Sequence, residues 1–68
     1  MQTLDFTVAG MTCQHCVASV TEEVTDLAGV TEVDVDLANG RLHVVGDVTA
    51  EQVQVAVAEA GDYTAHPA

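Results

Sequence analysis

The sequence predicts an α+β sandwich, a four-stranded antiparallel sheet with two helices on one face, in the ferredoxin-like order β-α-β-β-α-β. Three observations carry that prediction. Stretches of alternating apolar and polar residues flank two stretches of helical periodicity, an Asn-Gly dipeptide joins the middle two strands, and a glycine stands near the end of each helical stretch.

From Gln2 to Val8 the chain alternates, with Leu4, Phe6 and Val8 on one face and Thr3, Asp5 and Thr7 on the other, as in a half-buried strand. Val17, Val20, Val24 and Leu27 then recur at helical spacing, with Glu22, Glu23 and Asp26 on the opposite side and Gly29 placed for a left-handed cap. In the second strand Val33, Val35 and Leu37 alternate with Glu32, Asp34 and Asp36. Leu42 and Val44 continue the pattern beyond Asn39-Gly40, a dipeptide suited to a type I′ hairpin turn. Thr49-Ala50-Glu51-Gln52 fits a capping box, and Val53, Ala56, Val57 and Ala60 form the stripe of a second helix ending near Gly61. A short last strand is expected over Tyr63 to His66, with His66 and the Pro67-Ala68 tail frayed. Residues 1–68 read as a single domain without a linker or low-complexity segment.

At 68 residues such a domain buries only about 60% of the surface its unfolded chain exposes, so its stability margin is thin. Apolar residues, 49% of the chain and spread along it, argue for a folded domain. The opening Met-Gln-Thr-Leu-Asp-Phe-Thr lacks a basic region and carries an early acid, so no secretory signal is expected. No apolar run is long enough to span a bilayer. The expected protein is cytoplasmic, with no membrane insertion. Eleven acids face one arginine, Arg41, and no lysine, for a formal net charge of −10. Nucleic acid and anionic membrane are poor partners for such a surface. Two readings of the acidity stand side by side: adaptation to a halophile's salt-rich cytoplasm, where repulsion is screened within roughly 3 Å at 1 M salt, or docking on a basic partner.

Function has to come from the loop Gly10-Met11-Thr12-Cys13-Gln14-His15-Cys16, which holds both cysteines and leads into the first helix. In a reducing cytosol two such cysteines form a ligand pair or a redox pair sooner than a structural bridge. The CxxC spacing lets both sulfurs converge on one ion, and a helix N-terminus favours thiolate over thiol. Soft thiolates select Cu(I) and other soft ions, whereas a closed zinc site wants four ligands and this chain has no second cysteine pair. CxxC is also shared by structural zinc and redox sites, so spacing alone leaves those readings open.

The motif Gly-Met-Thr-Cys-Gln-His-Cys-Val-Ala-Ser-Val between strand and helix resembles the Gly-Met-[Thr/Ser]-Cys-x-x-Cys loop of the heavy-metal-associated domain, and the chain looks like a prokaryotic copper chaperone. The resemblance extends to the Asn-Gly hairpin and to Glu-Ala-Gly followed by Tyr63. It implies a carrier rather than an enzyme, with Cys13 and Cys16 holding Cu(I) and passing it by ligand exchange to the CxxC domain of a copper-transporting P-type ATPase or to a copper-responsive regulator. It assigns Met11 a packing role under the loop. Thr12 stands where zinc-selective members carry an acid, and Tyr63 is placed to approach the metal loop, although here Asp62 separates it from the glycine. His15 reads as a tuner of the thiolates or an exposed loop residue in preference to a third ligand. His43 reads as solvated, and His66 as able to capture a metal between two chains. The alternatives are a zinc, cadmium or mercury domain of the same family and, behind it, a thiol-disulfide redox protein. A monomer, or a dimer bridged by metal through four thiolates, is compatible with so open a pair.

Overall fold

The computed structural model describes residues 2–68. In chain order it contains β1 (Gln2–Ala9), α1 (Gln14–Thr25), β2 (Val30–Asp36), β3 (Arg41–Gly46), α2 (Ala50–Ala60) and β4 (Thr64–Pro67). The sheet order is β2-β3-β1-β4 with every neighbouring pair antiparallel. Each β-α-β unit therefore brackets a strand from the other unit, as the predicted ferredoxin-like fold requires.

Alternation along the strands decides which face the helices cover. Phe6 and Val8 of β1, Leu42 and Val44 of β3 and Ala65 of β4 point inward and are buried. They meet Val20 and Val24 of α1 and Val53, Ala56 and Val57 of α2, the two stripes that the helical periodicity marks. Each buried valine, leucine or phenylalanine taken out of water stabilises the fold by about 1.5–3 kcal/mol, and each alanine by less, before ordering entropy is charged against it. The opposite face has no helix over it and carries Asp5, Glu32, Asp34, Asp36, Arg41 and His43. An antiparallel sheet accommodates this asymmetry because its two faces can be solvated independently.

Four local expectations need correction. The Asn39-Gly40 turn is not type I′, which needs positive φ at both residues; only Gly40 has it, at 62°. The loop spans Leu37 to Gly40 between the paired Asp36 and Arg41. Its geometry is set by the Asp36 carboxylate, which accepts from the Asn39 amide nitrogen at 3.3 Å and from Asn39 Nδ2 at 2.7 Å. Such capture of a nearby backbone N–H by an aspartate offers the chain an alternative turn. Next, α1 stops at Thr25 with Asp26 as its cap in right-handed conformation, so Gly29 is not the helix cap and Leu27 lies past the helix, half-buried against the core. The last strand runs one residue later than expected. Finally, the tail is not frayed: His66 pairs with Thr7, and the Ala68 N–H donates to the Asp5 carbonyl at 2.9 Å. The capping box is present as predicted, with Thr49 Oγ1 accepting from the Gln52 N–H and Gln52 Oε1 from the Thr49 N–H. Among the described residues no helix is long and apolar enough to cross a membrane.

Candidate metal centre

The loop begins where β1 lets go of the sheet. Ala9 is the last residue of β1 paired with β4, opposite Thr64, so the next residues outward, Gly10 and Tyr63, come together. Gly10 turns the chain at φ 102°, and a Cβ there would lie 2.6 Å from the Asp62 carbonyl oxygen and 3.2 Å from Tyr63 Cδ1. Across the ring, a Cβ on Gly61 would lie 2.9 Å from Tyr63 Cε2. Two glycines thus leave a slot that the tyrosine ring fills. The intervening Asp62 does not carry Tyr63 away from the loop.

Cys13 is the N-cap of α1, in extended conformation, and no side chain caps the helix there. Its carbonyl accepts from the N–H groups of Cys16 and Val17, which starts the helix and fixes the spacing of the two sulfurs. Cys13 Sγ and Cys16 Sγ lie 3.6 Å apart, with Cys13 exposed and Cys16 half-buried. An ion about 2.3 Å from each sulfur would see them at an angle of about 100°, and a straight sulfur-metal-sulfur arrangement requires the pair to open by about 1 Å.

The surroundings favour thiolate at Cys16. Its pKa falls from 9.0 to about 6, first through the Thr12 backbone N–H, then through the Tyr63 hydroxyl and the Cys13 thiol, with desolvation opposing. The Thr12 hydroxyl adds to this from 3.9 Å. Reciprocally, the hydrogen bond to Cys16 raises the pKa of Tyr63, because a phenol that donates to a thiolate is reluctant to lose its proton. Position at a helix N-terminus acts in the same direction.

The remaining candidates divide. Thr12 and Tyr63 converge on Cys16, and Met11 is half-buried against the core. His15 sits exposed in the first turn of α1. Among the described residues no group of three or more histidine, cysteine and acidic side chains is arranged to hold a metal. Sequence reasoning overlooked the slot formed by Gly10 and Gly61; the paired glycines flanking the loop and the tyrosine were the available signal. It also treated His43 as merely solvated, whereas His43 Nδ1 lies 2.6 Å from Asp5 Oδ1, away from this centre.

Comparison with known proteins agrees with this geometry. A COP-associated protein of Helicobacter felis is 38% identical over 60 residues, covering 85% of this chain and 91% of that protein. The copper chaperone CopZ of Staphylococcus aureus is 37% identical over 57 residues, covering 79% and 84%. Among solved structures, a copper binding domain from HMA7, a P-type ATPase, superposes with a TM-score of 0.94 at 31% identity, covering 100% of this chain and 95% of that one. The heavy-metal-associated domain model matches residues 5–62, which include the whole cysteine loop. With that match joined to the split β-α-β sandwich and the paired thiols at the head of α1, the chain belongs to the heavy-metal-associated domain family.

Proposed function

We propose that this chain is a cytoplasmic Cu(I) carrier in which Cys13 and Cys16 hold one ion and surrender it, by ligand exchange, to a CxxC domain of a copper-transporting P-type ATPase or to a copper-responsive regulator. The observation that carries the reading is the sulfur pair, 3.6 Å apart, with no histidine, acid or further cysteine grouped with it among the described residues. Two soft donors satisfy Cu(I) and leave a side open to an entering thiolate. Transfer proceeds when that thiolate binds the ion and one of the two cysteines leaves, so the number of sulfurs on copper passes from two to three and back. The half-buried Cys16, held by Thr12 and Tyr63, is suited to stay longest, and the exposed Cys13 to leave first. The protein performs no catalysis; it protects its cargo and releases it on contact. A copper chaperone and a P-type ATPase domain among the relatives support this reading.

One observation favours a second reading. An angle near 100° between the sulfurs suits a tetrahedral ion such as zinc, which would draw its other two ligands from a partner or from solvent. A titration of the reduced protein with Cu(I) under a Cu(I)-selective chelator, competed with Zn(II) and followed by sedimentation, separates the two. One tightly held Cu(I) per chain is expected. Tighter binding of Zn(II) under buffered conditions overturns the copper assignment, and sedimentation reads whether a metal-bridged dimer forms.

A further inference from the structure

The uncovered face of the sheet carries a row of side chains that the metal centre does not use. Register sets His43 of β3 opposite Asp5 of β1 on one side and opposite Asp34 of β2 on the other. The row lies on the solvent side because its neighbours Phe6, Leu42 and Val44 point into the core. His43 Nδ1 and Asp5 Oδ1 are 2.6 Å apart, the one pair at ion-pair distance among the described residues. Around it stand Glu32 and Asp36 on β2, Arg41 two residues back on β3, and His66 of β4 one row along, opposite Thr7. Asp5, Asp34, Asp36, Arg41, His43 and Ala68 line a shallow cleft there. Both helices pack on the other face and present no charge to this one.

We propose that Asp5, His43 and Asp34 form a proton-loaded clamp across three strands, in which a protonated imidazole ties β1 to β3 and shields two carboxylates that otherwise only repel. An imidazolium is a donor at both ring nitrogens and adds a second positive charge to a face where Arg41 stands against four acids. The raised pKa of His43 fits the geometry: the Asp5 hydrogen bond is the largest cause, the charges of Asp5, Glu32 and Asp34 add to it, and desolvation opposes it. A histidine whose folded pKa is raised stabilises the fold fully below its ordinary 6.5 and loses that contribution as pH climbs through the folded value. The clamp is therefore closed in mild acid and released toward alkaline pH, independently of whether the thiols carry metal.

The test is to melt the full chain, reduced and metal-free, beside His43→Gln from below pH 6.5 to well above it, and to follow the His43 ring protons by NMR. Taking differences against His43→Gln cancels the titration of the cysteines. The wild-type midpoint is expected to exceed that of His43→Gln at the acid end and to converge with it at the alkaline end. Its ring titration should lie above 6.5, and both Asp5→Asn and Asp34→Asn should lower it, Asp5→Asn the more. All three positions are on the surface, so the variants fold. A gap between wild type and His43→Gln that ignores pH, or a ring titrating at or below 6.5, overturns the clamp. An Asp34→Asn variant whose His43 titrates unchanged overturns its three-strand form.

Discussion

Cys13 Sγ stands 3.6 Å from Cys16 Sγ, at the head of a helix that both residues help to start. One sulfur is exposed and the other half-buried, so the pair is unequal in access and in the hydrogen bonds it receives. Removing either sulfur leaves a single thiolate, which has no chelate partner. Cys13→Ser and Cys16→Ser are each expected to abolish tight Cu(I) binding, read as loss of competition with a Cu(I)-selective chelator, while far-UV circular dichroism stays native.

The low pKa of Cys16 has a direct chemical readout. In the metal-free reduced protein, alkylation of Cys16 should rise with pH around 6, far below its ordinary 9.0. Because the folded pKa is the lower one, the thiolate stabilises the fold fully above 9.0, and that contribution disappears as pH falls through about 6. Tyr63→Phe removes a hydrogen bond to the thiolate and should move the alkylation profile upward. Thr12→Ala, which keeps the backbone N–H that acts most strongly, should move it less. An unshifted profile in Tyr63→Phe would remove the tyrosine from the site.

Helix α2 depends on its reciprocal cap. Thr49→Ala deletes the hydroxyl that accepts from the Gln52 N–H and should cost about 1 kcal/mol. In a domain this small that corresponds to a fall of about 4–8 °C in melting temperature. Metal affinity should not change, since the cap lies at the end of α2 remote from Tyr63.

The core gives the harshest prediction. Leu42 is 1% exposed at the centre of the sheet, and Leu42→Ala should cost about 2–5 kcal/mol through lost transfer energy and the cavity left behind. Given how little surface a chain of this length buries, urea denaturation should find the variant close to unfolded.

Seven acids, Glu22, Glu23, Asp26, Asp47, Glu51, Glu59 and Asp62, lie off the sheet's open face, where no lysine or arginine accompanies them. If this acidity is an adaptation to salt, the unfolding midpoint rises markedly from low to molar KCl as repulsion is screened. A flat profile assigns the acids to docking instead.

Local chemistry was legible from the residues themselves, and non-local chemistry only where the family resemblance supplied it. Thr49 and Gln52 are three residues apart, so a reader sees the capping box without knowing the fold. Sheet alternation likewise identifies Phe6, Leu42 and Val44 as core. The hairpin misled because Asp36, just outside the Asn-Gly pair, captures Asn39 and chooses another turn. The contact of Tyr63 with Cys16, and that of His43 with Asp5, depend on which strands lie side by side and in what register. The first was readable only through the family resemblance carried by Glu-Ala-Gly and Tyr63, and the second left no trace in the residues beside it.

Helix α1 begins on Cys13 with no side chain to receive its first amides. The backbone N–H groups of Gln14 and His15 therefore start the helix without a side-chain acceptor, open to water at an exposed turn. That turn meets solvent through its backbone as well as its sulfurs, and the mouth of the loop is polar although no acidic side chain stands in the helix's first turn.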